Sequence, residues 1–144
     1  MTISARLIGL VEKNADQLTK RWVELVRTDP GTPTYHTYDE AKLYQRAFSV
    51  YSQFGKWLSA GTTTEEFQET YTALGAQRRK EGFALSELLQ ALIITRRVLW
   101  LRVESEGFLD TALDLNLALQ LSNQTVLFFD RAMFFAAQGY ESES

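Results

Sequence analysis

Three charged side chains fall on helix faces that are otherwise apolar. Counting 100° per residue, Arg78 shares a face with Phe67 and Leu74. Arg96 lies among the leucines of the next helical segment, and Asp130 lies on an apolar face of the last one. An unpaired charge is costly to bury, so each of these groups needs an opposite charge, a backbone carbonyl or a ligand.

Two interpretations of these charges stay open. The first is an ion pair between helices that fixes their register, and Arg96 with Asp130 is the best candidate for it. The second is a site in which Arg78 or Arg96 anchors an anionic ligand between aromatic walls. The aromatic residues that lie at suitable helical positions are Tyr44, Phe48, Tyr51, Phe54 and Trp100.

The sequence offers little for metal, haem or hydrolytic chemistry. It contains no cysteine, and its one histidine, His36, falls in a loop between two predicted helices. No Glu-x-x-His pattern, nucleophile-elbow serine or phosphate-binding glycine loop occurs. We therefore expect no metal or haem cofactor and no enzymatic activity.

Length and charge favour a single domain that covers residues 1–144. The net charge is −3, and the densest basic run, 78–80, is followed at once by Glu81, so we expect no nucleic-acid partner. No apolar run approaches the roughly 20 residues that a membrane helix needs. We therefore expect a cytoplasmic protein that does not bind membranes.

Helical periodicity predicts an all-α domain of about five long helices. Two capping boxes, 37–40 and 63–66, are expected to start the second and third helices, and Gly61 and Gly82 to end them. Gly75 is expected to let a neighbouring helix approach closely. The helices cover about residues 4–27, 38–60, 63–81, 84–106 and 110–138, followed by a polar tail at 138–144.

The fifth predicted helix is apolar on two sides, and one core cannot bury both. It is therefore either a central helix or one that contacts a second copy of the chain. We predict a homodimer. The face expected to pack within the chain includes Leu115, Leu119, Val126 and Met133, and the face expected at the dimer interface comprises Leu113, Leu117, Leu121, Phe128 and Phe135.

Several motifs together resemble the RsbRD-type N-terminal sensor domain, and they cover most of the chain. In that family the domain precedes output modules such as a STAS domain or a histidine kinase. The matching motifs are Asn14-Ala-Asp-x-Leu18, Arg21-Trp22, Tyr71-x-x-Leu-Gly75, Arg78, Glu81-Gly-Phe83-x-Leu85-x-Glu87-Leu-Leu89, Ala91-Leu92, Arg96-Arg97 and Trp100.

The resemblance implies a non-enzymatic sensory domain that dimerises and signals to a kinase or STAS-type partner. It also implies a fold related to the haem-free, globin-like sensor domains of RsbR proteins. Because no output module is visible, we expect a free-standing member or a truncated N-terminal domain. The alternatives are a binding module for a small anionic or lipid-like ligand and, second, a haem-binding globin-like sensor.

We expect the purified protein to be colourless and to bind neither haem nor a transition metal stoichiometrically, because its one histidine lies in a loop. An absorbance spectrum recorded after addition of haem checks this expectation. A strong Soret band that disappears in His36→Ala would contradict it.

Overall fold

The computed structural model describes residues 3–58, 64–105 and 112–142, with the side chains of 3, 4, 58, 112–114, 117, 118 and 121 left aside. Within these ranges all regular structure is helical, which confirms the all-α prediction. The elements are α1 Ile3–Lys13, α2 Ala15–Val26, a 3-10 turn Pro33–His36, α3 Glu40–Ser52, α4 Phe54–Leu58, α5 Thr64–Lys80, α6 Leu85–Ser105 and α7 Ala112–Ser142.

The described residues form seven α-helices rather than about five, because two predicted helices are each interrupted. Between α1 and α2, Asn14 leaves helical geometry, and its Nδ2 donates to Leu10 O at 2.8 Å. An asparagine side chain that bonds the backbone in this way competes with the helical ladder. Gln53 separates α3 from α4 with φ −112° and ψ 22°. Neither break contains the proline or glycine by which sequence analysis finds helix ends.

The start of α3 differs from the predicted capping box at 37–40. Asp39 is the N-cap, and its carboxylate accepts from the Lys42 amide at 3.1 Å, so the helix begins at Glu40. Thr37 instead ends the 3-10 turn. The predicted box at 63–66 and the predicted helix end at Gly61 fall partly or wholly outside the described residues.

The end of α5 confirms the prediction made for Gly82. Its φ of +92° is left-handed, a region that glycine enters without steric cost. Phe83 N donates to Arg78 O and Gly82 N donates to Arg79 O, each at 3.1 Å, which is a Schellman motif. The turn places Phe83 in the core, with its ring centroid 4.4 Å from that of Tyr35.

Helices α5 and α7 cross with their backbones in contact. A Cβ on Gly75 would lie 1.8 Å from the carbonyl oxygen of Ala136, and one on Gly139 would lie 1.9 Å from that of Thr72. Only glycine fits at either position, because these distances are far inside van der Waals contact. The crossing confirms the close approach predicted at Gly75, whereas the matching role of Gly139 was not predicted.

Two clusters of buried side chains form the core. The larger joins α1, α2, α3 and α6 and includes Leu18, Leu43 and Leu99. The smaller joins α5 and α7 through Phe67, Tyr71, Phe128, Phe129 and Ala132. The Phe54 and Phe128 rings, with centroids 6.2 Å apart, connect the two clusters. Aromatic contacts therefore join the two clusters into one continuous core.

The structure describes part of each predicted face of α7. Phe128 is buried within the chain, with its ring centroid 5.2 Å from that of Phe67, so it does not offer a free dimer surface. Phe135 is half-buried beside Phe67. The side chains of Leu113, Leu117 and Leu121 lie outside the described set. The exposed large apolar residues of α7 are Leu115, Leu119, Val126, Leu127 and Phe134.

Periodicity alone cannot predict which face of α7 contacts another helix of the same chain. It locates two apolar faces on α7, but which of them meets α5 depends on where that helix crosses. The ring contacts of Phe128 with Phe67 and Tyr71 place α5 on that side of α7, and residues at the predicted core positions 115, 119 and 126 are exposed. Met133 and Ala136, on the same predicted face, pack within the chain.

We expect Gly75→Ala and Gly139→Ala each to lower the free energy of unfolding by about 2 kcal/mol or more, because the added methyl group meets backbone. Gly9→Ala is the matched control, since no atom lies within 4 Å of a Cβ there and alanine favours the α1 helix by about 0.5–1 kcal/mol. Chemical denaturation measures all three. A Gly75→Ala protein as stable as Gly9→Ala would contradict the crossing.

Candidate functional site: an arginine pocket

A small pocket of about 60 Å³ lies between α2, α3, α5 and α6, and we call it the arginine pocket. Its polar lining residues are Arg46, Arg78, Tyr35 and Thr95. Its wall is otherwise mostly apolar and includes Trp22, Leu43, Ala47, Leu74, Leu88 and Leu92.

Arg78 enters this pocket from the last turn of α5 and is only 12% exposed. Among the described residues its one hydrogen-bond acceptor is Glu81, with 3.4 Å between Nη1 and Oε1. A guanidinium carries five N–H donors, so most of them have no protein acceptor here. Burial, and next the positive charge of Arg46, lower the pKa of Arg78. Arg78 is thus a desolvated cation with a single weak partner.

Arg46 reaches the same carboxylate from α3. Its Nη2 donates to Glu81 Oε2 at 2.5 Å and to the Tyr38 hydroxyl at 3.3 Å. Burial works against its charged form, but the hydrogen bonds to Glu81 and Tyr38 outweigh burial and raise the pKa of Arg46. Its Nη1 is buried and has no hydrogen-bond partner within the described part of the chain.

Glu81 is therefore shared by two arginines. Its side chain is 14% exposed and also accepts from Gln77 Nε2 at 3.2 Å. Burial alone would raise the pKa of this carboxyl, but hydrogen bonds from Arg46 and Gln77 bring the pKa below its ordinary value. Two guanidinium groups thus share one carboxylate beside an apolar wall, so the site has more N–H donors than protein acceptors in contact with them. Such a site attracts an anion.

Sequence reasoning found Arg78 but missed Arg46 and Glu81. The sequence shows Glu81 only as the acid that follows the basic run 78–80, whereas the Schellman turn folds that helix end back against α3. A signal for Arg46 does exist in the sequence, because it lies between Leu43 and Val50 on the face of α3 that turns toward the core.

The five aromatic residues predicted to line a ligand site do not form one wall. Tyr51 and Phe54 are fully buried in the core, where the Tyr51 hydroxyl donates to Thr95 O at 2.9 Å. Tyr44 and Phe48 stack on each other at the outer edge of α3, and the Tyr44 hydroxyl donates to the Asp16 carboxylate. The buried stripe of α3 is centred on positions 43, 47 and 51, which leaves 44 and 48 at its edge.

Arg96 and Asp130 come together, but not in the core. Arg96 Nη1 lies 3.9 Å from Asp130 Oδ1, and the two side chains are 31% and 55% exposed. Arg96 and Trp100 line an open groove of about 480 Å³ between α6 and α7. Because water reaches both charges, this pair differs from the desolvated pair expected from the sequence, and its contribution to stability is small.

Glu87 holds the rim of the arginine pocket. Its buried carboxylate accepts from the Thr34 amide at 2.5 Å, the Thr34 hydroxyl at 2.7 Å and the Ala84 amide at 3.0 Å. These bonds tie the 3-10 turn to the start of α6, and the turn carries Tyr35 into the pocket. They outweigh burial and lower the pKa of Glu87. Apart from its place in the family motif, no feature of the sequence singles out Glu87.

His36 lies in the 3-10 turn, and its Nε2 is 2.8 Å from Asp29 O. A carbonyl oxygen only accepts, so Nε2 is the protonated nitrogen. Within the described ranges, no group of three or more histidine and acidic residues could hold a metal ion. None of the described helices is both long and apolar enough to span a bilayer.

The described residues thus form an all-helical domain with a charged pocket between its helices. The family model that matches the chain is that of the RsbT co-antagonist protein rsbRD N-terminal domain, over residues 16–144. The chain therefore belongs to this family, as the sequence motifs had indicated. Comparison with curated proteins and with solved structures gave no match.

We expect Glu81→Gln to lower the free energy of unfolding by about 2–3 kcal/mol, because it leaves two arginines without a buried counter-charge. Asp130→Asn is the control, because it removes an equal charge from an exposed pair and should cost about 1 kcal/mol or less. Urea denaturation separates the two. Equal losses in both variants would contradict the assignment of the buried pair.

Stability is expected to fall in acid through the same carboxylate. The folded pKa of Glu81 lies below the ordinary value of 4.5, so between the two pKa values the unfolded chain binds more protons than the native one. The contribution of Glu81 is complete above that ordinary value and is lost as the pH falls through the folded pKa. Denaturation midpoints measured between about pH 6 and pH 3 should fall more steeply for the parent than for Glu81→Gln.

Proposed function

We propose that this chain is a non-enzymatic, cytoplasmic sensory domain that receives a signal and transmits it to a kinase or STAS-type partner. The observation that carries the proposal is membership of the RsbRD N-terminal family over residues 16–144. The description of that family names RsbT, and an RsbT-type protein is accordingly the first partner to test. The haem-free, globin-like architecture belongs to the same proposal and rests on the resemblance alone.

A homodimer formed through the outer side of α7 is the second part of the proposal. At 1.5 Å per residue, the 31 residues of α7 span about 46 Å, whereas the 17 residues of α5 that cover it span about 25 Å. The uncovered side carries Leu127 and Phe134, which are 54% and 59% exposed. Large apolar side chains concentrated on one helix are typical of a subunit interface.

A path from the interior to α7 runs through α5. Arg78 and Glu81 lie at the C-terminal end of α5, and Gly75 lies one turn before them. At Gly75 and Gly139 the two backbones are in direct contact, so we expect α7 to move when α5 moves. Helix shifts of this kind at a subunit interface are a common means of signal transmission.

The arginine pocket favours a second function that is compatible with the first, the binding of a small anionic ligand. Its two arginines share one carboxylate, and its wall is largely apolar. A pocket with a few fixed polar groups in an apolar surround is the usual form of a small-molecule site.

The direct test of the signalling role is binding of the purified chain to an RsbT-type kinase or a STAS-domain protein from the same organism, measured by calorimetry. We expect a defined stoichiometry of one partner per chain or per dimer. Absence of binding to both classes of partner would count against the proposal.

We expect the protein to be a dimer by light scattering at micromolar concentration, and the double variant Leu127→Gln with Phe134→Gln to be a monomer. Glutamine keeps the helix while removing the apolar contact. Phe48→Gln is the matched control, because Phe48 is also a partly exposed aromatic residue but lies on α3. A monomeric parent, or a double variant that still dimerises, would refute this interface.

A further inference from the structure

We propose that the arginine pocket is a binding site for a short-chain monocarboxylate. The carboxylate would be held by Arg46 and Arg78, and the alkyl end would contact the apolar wall. The assignment rests on the proposed sensory role and specifies the ligand class of that role.

The first argument is the number of donors. Arg78 has one acceptor at 3.4 Å, and Arg46 Nη1 is buried with no acceptor among the residues that the structure describes. Buried donors in folded proteins are nearly always satisfied, and one left unpaired lowers stability. A carboxylate accepts two parallel N–H bonds from a guanidinium, which is the geometry these arginines lack in the protein itself.

The second argument is charge. Arg46 and Arg78 are balanced in charge by Glu81 and by Glu87 at the rim, but of these two acids only Glu81 contacts the arginines among the described residues. A ligand of low charge therefore fits the pocket better than one of high charge. A dianion such as phosphate would give the occupied pocket a larger net negative charge than a monoanion would, and its four oxygens would each need a donor or water. The pocket cannot supply them, because Leu43, Leu88 and other apolar side chains form most of its wall. The charge and the wall together favour a monoanion with an apolar end.

The third argument is size. The pocket volume of about 60 Å³ admits a ligand of only a few non-hydrogen atoms. Acetate or propionate is of this size, whereas a nucleotide, a sugar or a long-chain fatty acid is not. The lipid-like ligand considered from the sequence is therefore disfavoured at this site.

Binding would act on the helix that we place in the signalling path. A carboxylate held by Arg46 and Arg78 would share with Glu81 the contact that joins α3 to the end of α5. The position of α5 would then depend on occupancy, and α7 follows α5 through the glycine crossing.

The test measures melting temperature and calorimetric binding with sodium acetate, propionate and butyrate. Propionamide, sodium chloride and inorganic phosphate at matched ionic strength are the comparison solutes. We expect propionate to raise the melting temperature in a concentration-dependent manner, because a ligand that binds only the native state stabilises it. Propionamide and chloride should leave it unchanged. No shift with any monocarboxylate, or an equal shift with phosphate or chloride, would overturn the assignment.

The decisive variant is Arg78→Met. It removes a buried charge that has only a weak partner, so without ligand it should melt at or above the parent temperature while losing the propionate shift. Arg97→Met is the control, because it removes an exposed guanidinium from α6 and should keep the shift. A propionate shift that persists in Arg78→Met would overturn the site.

Arg78→Lys keeps the positive charge and guards against a variant that fails to fold. We expect it to bind propionate about tenfold more weakly or worse, because an ammonium cannot form the two parallel bonds of a guanidinium. Unchanged affinity would exclude Arg78 as the anchor. If the parent shows no carboxylate response but still dimerises and binds its partner, the ligand assignment alone fails. If it responds to propionate but binds no signalling partner, the regulatory proposal alone fails.

Discussion

The contact between the backbones of α5 and α7 is the constraint on which the rest of the structure depends. Gly75 and Gly139 each meet a carbonyl oxygen of the opposite helix, so the two axes can take only one spacing. That spacing brings the end of α7 onto the end of α5, where the Tyr140 hydroxyl donates to Phe83 O at 2.8 Å. Phe83 in turn packs on Tyr35 at the arginine pocket. The crossing, the Schellman turn and the pocket therefore form one connected unit.

The same unit contains the least favourable electrostatics described in the chain. Two arginines converge on Glu81 in a largely apolar surround, and desolvation is the first cause of the lowered pKa of Arg78. A buried ion pair stabilises a fold only when good geometry and further hydrogen bonds compensate for the desolvation of its charges. A buried arginine N–H group without a protein acceptor, as at Arg46 Nη1, is instead typical of a binding site. Electrostatics and packing thus both favour the arginine pocket as the site at which the proposed signal would act.

Particular residues show how far prediction from sequence could go. The position of Arg78 on an apolar helix face and the helix end at Gly82 are local consequences of a 3.6-residue period and of a left-handed glycine. Arg96 has the same kind of pattern but a different outcome: it is partly exposed, because its face borders an open groove instead of another helix. Periodicity locates a residue on a face and is silent on what covers that face. The predicted number of helices was too low for a related reason. The breaks at Asn14 and Gln53 contain no proline or glycine and depend on backbone geometry that the sequence does not reveal.

The sequence by itself determined the helical class, the end of α5, the need for a small residue at Gly75 and the family, because each follows from local chemistry or from a motif. Only the tertiary structure decided that Arg46 and Glu81 join Arg78, that Phe128 faces inward while Leu127 and Phe134 face outward, and that Gly139 completes the crossing. These facts concern residues that are far apart along the chain or faces of similar apolarity. These contacts depend on how the helices cross, and the sequence of a single helix does not show where another helix crosses it.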